Sequence, residues 1–247
     1  MASTTHMNDD TSMPLSLATQ SLLIAGRSIT LSLPADPEQM LEQALQSEAA
    51  GEHGSDPYWG LLWAASPKLA ELILRHEWDQ PLTAIELGCG VGLAGIAALI
   101  AGHQVVFSDH SAIAVRTSLF NARANGFANA EGLTFAWHDP PQRTFEFAFA
   151  SDVVYDTSGH RPLLHTLDEV LRPDGLAWIG DVGRANMPRF LELAETNGWR
   201  FTLLDRDGRA IQRPNVLEFC VIELRRMYSR RAGVMRSGVA GFRACDV

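Results

Sequence analysis

The stretch from Thr83 to Ser111, TAIELGCGVGLAGIAALIAGHQVVFSDHS, constrains the fold more than any other part of the chain. Ile85 and Leu87 close a short apolar run. Gly88, Gly90 and Gly92 follow at alternate positions, and Leu93 to Ile100 continues as an Ala/Leu/Ile helix. A second strand, Gln104 to Ser108, ends on Asp109. Glycine suits such a junction because a backbone without Cβ bends tightly and lets a ligand come close. The helix start beyond it offers unpaired N–H groups to a polar or anionic ligand. A carboxylate at Asp109 is placed to accept hydrogen bonds from ribose hydroxyls. The element reads as a nucleoside-cofactor site.

The rest of the chain supports a sheet around it. After Asp109 the pattern predicts a helix at 112–124, strands at 133–136 and 146–150, a helix at 161–171, a strand at 176–180 and a helix at 187–197. That alternation argues a mostly parallel sheet covered by helices on both faces, a doubly wound α/β fold. Residues 200–204 and 216–224 are both strand-like, and the turn-rich link DRDGRAIQRPN between them is too short for a crossover helix. The last two strands are therefore expected to pair antiparallel. Upstream, 22–33 reads as two short strands around Gly26-Arg27, and a helix opens at Pro37. Tyr58, Trp59 and Trp63 crowd a segment that leads into an amphipathic helix from Ser66 or Pro67. These readings divide the chain into a disordered segment at 1–18, a cover at 19–55, a main domain at 56–226 and a tail at 227–247 with Arg230, Arg231, Arg236 and Arg243.

Composition removes several classes. A net charge of -9 argues against a protein that lives on nucleic-acid phosphates and suits a cationic partner. Cys89, Cys220 and Cys245 have neither disulfide-framework nor metal-ligand spacing, and His53, His76, His103, His110, His160 and His165 show no ligand spacing either, so no metal is expected. A reducing, cytoplasmic setting follows from the cysteine usage, and no apolar run reaches the roughly 18 residues of a spanning helix. The expected partners include no nucleic acid and no membrane.

The glycine loop admits two registers. From Gly90 it is GVGLAG, a formal dinucleotide fingerprint with Asp109 downstream. The strand ends at Leu87, however, so a fingerprint should start at Gly88, and Leu93 then stands where a third glycine belongs. ELGCGVG in that register resembles motif I of the class I, seven-β-strand S-adenosylmethionine-dependent methyltransferases, and the antiparallel last pair is similar to their terminal hairpin. SDPYWGLLW, AWHD, SDVVYD and IGDVGR, in that order, resemble the protein-lysine methyltransferase family of this fold, most closely its electron-transfer-flavoprotein β-subunit lysine methyltransferase branch. Ala64-Ala65-Ser66 departs from the Pro-Gly-Gly that this branch carries after its tryptophan.

The resemblance implies a Rossmann-like sheet of seven strands, S-adenosyl-L-methionine as cofactor, and a protein substrate with an accessible lysine, by analogy the electron transfer flavoprotein β subunit. It places the methionine part of the cofactor at Gly88, Gly90 and Gly92 with Glu86 near its amino group. The ribose falls to Asp109, with His110 beside it, and the adenine lies between Trp137 and His138 at the end of the third strand. Trp63 is expected on the sulfonium side, where an aromatic face stabilises a cation. Ser151 and Asp152 stand at the carboxyl end of the fourth strand. Asp152 and Tyr155, matching the family's DxxY, are the candidate catalytic residues: Asp152 captures and orients the amine, and Tyr155 forms the channel wall. Asp181 and Arg184 lie at the same edge, where they either shape the acceptor pocket or pair with each other. Two other readings fit the same fold, a small-molecule N-methyltransferase and a non-catalytic cofactor-binding module.

Overall fold

A computed structural model describes residues 16–49, 57–213 and 217–227. The readings for residues 1–15, His53 and the arginine-containing tail lie outside the described residues. The elements run β1 (Leu17–Ile24), β2 (Arg27–Pro34), α1 (Pro37–Ala49), a 3-10 turn (Pro57–Gly60), α2 (Ala65–Arg75), β3 (Thr83–Leu87), α3 (Leu93–Ile100), β4 (Gln104–Asp109), α4 (Ala112–Ala124) and β5 (Glu131–Thr134). They continue with β6 (Phe145–Ser151), a 3-10 turn (Thr157–Gly159), α5 (His160–Val170), β7 (Leu171–Asp181), α6 (Met187–Thr196), β8 (Trp199–Leu204), β9 (Ala210–Ile211) and β10 (Cys220–Arg226).

The main sheet has the order β5-β4-β3-β6-β7-β10-β8-β9. β3 to β7 pair in parallel, and β10 inserts antiparallel between β7 and β8. The seven long strands are those expected; a two-residue edge strand, β9, falls inside the link read as turns and adds an eighth.

Side-chain alternation divides the core into two layers. Ala84, Phe147, Phe149, Trp178 and Val221 face one way, into a layer with Leu69, Ile73, Ile96 and Ala97 of α2 and α3. Ile85, Leu87, Ala148, Ala150, Ala177, Ile179 and Ile222 face the other, toward Leu163, Leu167 and Phe190 of α5 and α6. A register shift between Phe145 and Phe147 turns Phe145 to the α5/α6 layer, so the phenylalanines of β6 serve both.

The β1–β2 hairpin turns at Ala25-Gly26, both at positive φ, and reaches the sheet by way of α4. Asn121 accepts the Ser32 N–H at 2.8 Å and returns its amide to Ser32 O at 3.0 Å; Asn125 does the same for Thr30 at 2.9 and 2.7 Å. These two amides close β2's backbone groups as a strand would. At the start of α1, Asp36 accepts the Gln39 N–H at 2.9 Å in a side-chain cap.

β5 begins and ends two residues earlier than its reading. Its last pair is Asp109–Thr134, and the chain then turns through Ala136 O accepting the Asp139 N–H at 2.8 Å. Trp137 and His138 therefore stand on a loop beyond the strand, not at its end.

Candidate active site

β3 stops at Leu87 because the next residues cannot extend it: Gly88, Gly90 and Gly92 have φ of 68°, 51° and 84°. Of these, Gly90 is the one that meets the cover. A Cβ there would lie 2.8 Å from the carbonyl oxygen of Trp59, so the aromatic segment before α2 rests directly on the loop. The loop is fastened by the Cys89 N–H to Ser108 O (2.8 Å) and by the Gly90 N–H to Asp109 Oδ2 (3.1 Å). Asp109 Oδ1 accepts the Ser111 N–H at 2.9 Å and faces His110 Nδ1 at 3.2 Å. The acid at the end of β4 thus organises the loop that follows β3.

Above these strand ends lies a cavity of about 340 Å³. Its floor is Gly88, Cys89, Gly90 and Val91. Asp109 and His110 form one side, Ala136, Trp137, His138 and Gly159 another, and Ser151, Asp152, Val153 and Tyr155 a third. Tyr58, Trp59, Leu61, Leu62 and Trp63 cover it from the segment before α2. Trp63 donates its indole N–H to Tyr58 O at 2.9 Å, which folds that segment on itself. The cavity lies outside the carboxyl ends of β3, β4 and β6, where open parallel sheets bind their ligands. Among the described residues no group of side chains is arranged to hold a metal ion.

The cavity gathers ten of the twelve residues singled out in the sequence: Trp63, Gly88, Gly90, Asp109, His110, Trp137, His138, Ser151, Asp152 and Tyr155. Glu86 and Gly92 are not on it. Glu86 shares the Ala84 face of β3, lies 2% exposed beneath α3, and accepts the Gly95 N–H at 3.1 Å. Gly92 is where α3 begins, with Ser118 Cβ of α4 only 2.7 Å from where its own Cβ would be. Both support the loop from behind. Gly95, inside α3, belongs to the same support. Glycine inside a helix costs about 1 kcal/mol relative to alanine, and here a Cβ would collide with Phe107 and with Glu86 Oε2. A glycine in so apolar a helix was the available signal.

Burial drives the Glu86 carboxyl well above its usual value; the Gly95 N–H opposes this and Asp109 adds to it. A carboxyl raised on folding contributes its full stability below the unfolded value of about 4.5 and loses it as pH rises through the folded value. Glu86→Gln, which keeps an acceptor for Gly95, is expected to raise the urea midpoint above wild type at pH 8 to 9, with the gap closing toward pH 5. Urea melts at a series of pH values check this, and a gap that does not change with pH sinks it. The Cys89 thiol is also pushed well up, by burial and then by Asp109 and Glu86, which suppresses its thiolate.

At the opposite wall, β6 is followed directly by Asp152, a non-glycine residue at φ 57° that is 5% exposed. Its N–H bonds Gly180 O at 2.9 Å, keeping it level with β7. Its carboxylate is already engaged. Oδ2 accepts the Ala65 N–H at 2.7 Å, one of the free donors at the start of α2, and Oδ1 accepts Arg184 Nη2 at 2.9 Å and Nε at 3.3 Å. Asp181 accepts the Arg184 backbone N–H at 2.7 Å and lies 3.9 Å from its Nε, so Arg184 pairs with both acids and not with Asp181 alone. The guanidinium carbon stands 5.7 Å from the Trp63 ring centre and 5.9 Å from that of Tyr155. Nothing local in the sequence marks the Asp152–Arg184 pair, which forms only because β6 and β7 are neighbours.

A doubly wound sheet with an antiparallel insertion near its edge and a glycine-floored cavity at the carboxyl ends of its strands is the Rossmann-like methyltransferase fold. The solved structure of a TehB-like S-adenosylmethionine-dependent methyltransferase from Corynebacterium glutamicum superposes with a TM-score of 0.55 and 22% identity, over 78% of this chain and 98% of that one. Residues 45–193 match the lysine methyltransferase family, and the chain belongs to it. It is 29% identical over 133 residues to the electron transfer flavoprotein beta subunit lysine methyltransferase of Danio rerio, covering 53% of this chain and 52% of that protein. It is likewise 29% identical over 138 residues to the protein N-terminal and lysine N-methyltransferase EFM7 of Cryptococcus neoformans var. neoformans, covering 48% and 45%. The chain spans about half the length of the curated relatives it matches. Among the described residues no helix is long and apolar enough to cross a membrane.

Proposed function

We propose that this chain transfers a methyl group from S-adenosyl-L-methionine to the ε-amino group of a protein lysine. The observation that carries the reading is the continuity of one cavity from the Gly88–Gly90 loop and Asp109 to the Asp152, Tyr155 and Trp63 side. Membership of the lysine methyltransferase family supports the same chemistry.

The residues present fit the cofactor. Gly88 leaves open a space beside Val153 and Trp137, both on the cavity, that a Cβ would enter, and the Asp109 carboxylate stands at the strand end where a ribose is read. Gly88 and Gly90 hold the amino-acid part, Asp109 and His110 the ribose, and Trp137 and His138 the flat purine, while Glu86 and Gly92 keep the loop in shape. When bound, the cofactor supplies an electrophilic methyl group on a sulfonium. Ser151 and Trp63 line the passage between that group and the acceptor.

The protein's own task is to present a neutral amine. At an unperturbed pKa of about 10.4 only roughly one lysine in a thousand is neutral near pH 7.4. Aromatic walls at Trp63 and Tyr155 desolvate the amine and favour its neutral form. Asp152 orients the acceptor from the end of β6. The substrate we infer is the electron transfer flavoprotein β subunit, the protein named for the Danio rerio relative.

Incubating the purified chain with S-adenosylmethionine labelled at its methyl group, together with a cell lysate or purified electron transfer flavoprotein, tests this. Label is expected in a protein band, with mass spectrometry assigning it to lysine. Label confined to small molecules overturns the reading.

A further inference from the structure

We propose that Arg184 sets the protonation state of the acceptor: by neutralising Asp152 between Trp63 and Tyr155, its guanidinium makes the slot accept a neutral amine and turn away the ammonium. The inference rests on the lysine reading above.

Asp152 alone would present a carboxylate at the lysine end of the cavity, and a carboxylate favours the charged ammonium, which has no lone pair to offer. The geometry removes that difficulty. Arg184 bonds Asp152 Oδ1 through two nitrogens, so its positive charge is set directly against that carboxylate. Its guanidinium also stands against the two aromatic rings that line the cavity, where a cation would otherwise be welcome. Arginine suits this task because it stays charged across the working pH range and its planar fork holds one orientation.

The guanidinium is fixed from behind. The Arg184 backbone N–H donates to Oδ1 of the fully buried Asp181, whose Oδ2 has no hydrogen-bond partner among the described residues and lies 3.9 Å from Arg184 Nε. Asp152 is the nearer counter-charge of Arg184, 2.9 Å from Nη2, against 3.9 Å between Nε and Asp181, whose carboxyl burial pushes up. Of the other ionisable groups on the surrounding elements, Asp109, His110 and His138 line the same cavity on its cofactor side. Tyr58 and Tyr155 flank the mouth, Lys68 of α2 stands over Phe219, and the Cys220 thiol near Asp181 is pushed up to about 11. Glu218 adjoins Leu217, whose N–H bonds Gly183 O. On binding, the acceptor's ammonium N–H bond breaks, the proton leaves to bulk water, and the electron pair stays on nitrogen.

The test uses the full chain saturated with S-adenosylhomocysteine and a peptide carrying the lysine labelled in the lysate experiment. Titration calorimetry in two buffers of different ionisation enthalpy counts the protons released. Wild type is expected to release close to one proton per peptide near pH 7.5 and Arg184→Gln far less. In turnover, Arg184→Gln is expected to show a lower KM, a lower kcat at neutral pH and a rate optimum about one to two pH units higher, with Arg184→Lys restoring part of the difference. A wild type that releases no proton overturns the proposal without any variant. So does an Arg184→Gln enzyme with an unshifted profile, or one that is faster at neutral pH, as a mere plug would give. A wild type that binds S-adenosylhomocysteine but labels no lysine overturns the lysine reading itself; labelled lysine with an unshifted variant overturns only this inference.

Discussion

Gly90→Ala is expected to reduce S-adenosylhomocysteine affinity by at least about 100-fold, close to 2.8 kcal/mol at 1.4 kcal/mol per tenfold. Two separate costs combine. At φ 51° an L-residue pays roughly 1–2 kcal/mol for the left-handed conformation, and relieving that strain reshapes the cavity floor itself. The new Cβ would also lie 2.8 Å from Trp59 O, a backbone atom that cannot rotate away. Relief requires the loop and the Tyr58–Trp63 cover to separate, which breaks the Gly90 N–H bond to Asp109 and opens the cavity at its floor. Gly126→Ala is the control. Its φ is 92°, but nothing lies within 4 Å of the added carbon, so it should cost stability alone and leave the calorimetric affinity unchanged. Equal affinity for the Gly90 variant and wild type would show that the loop does not hold the cofactor.

Asp152→Ala is expected to lower methyl transfer by at least about 100-fold and stability by about 3 kcal/mol, the lower end of what losing one partner of a buried ion pair costs. The Ala65 N–H at the head of α2 loses its acceptor, and Arg184, whose side chain is 31% exposed, loses its main counter-charge. Alanine also fits φ 57° less well than aspartate, whose short polar side chain tolerates that region. Asp152→Asn separates these effects. It keeps the conformation and an acceptor for Ala65 while deleting the charge, so most of the stability should return and most of the activity should not. Urea denaturation with steady-state kinetics on the labelled acceptor reads both, and an alanine variant as stable as wild type would contradict the tertiary cap.

The part of the site that sequence reveals is the part built from neighbours in the chain. From β3 through the glycines and α3 to β4, one local pattern fixes strand ends, turn and acid, because each depends on residues a few positions away. The same alternation that puts Ile85 and Leu87 on one face puts Glu86 on the other, under α3, whereas motif resemblance places it near the cofactor's amino group. The acceptor side is less legible. Asp152 serves an N–H 87 positions away and a guanidinium 32 positions away, contacts that exist only once the strand order is set. Trp137 moved off its strand for a similar reason: β5 stops where its pairing with β4 runs out, a limit written in β4.

The strand order also has a consequence in time. β10, the last of the described strands to leave the ribosome, does not add to an edge but fills the gap between β7 and β8. β5, β4, β3 and β6, with the glycine loop and Asp109, can pair during synthesis at about 5–20 residues per second. β7 meanwhile keeps an open edge along Ala177–Asp181, awaiting Cys220–Leu224. The half that carries the glycine loop and Asp109 can pair first, and the half that carries Asp181 and Arg184 is sealed only when β10 arrives.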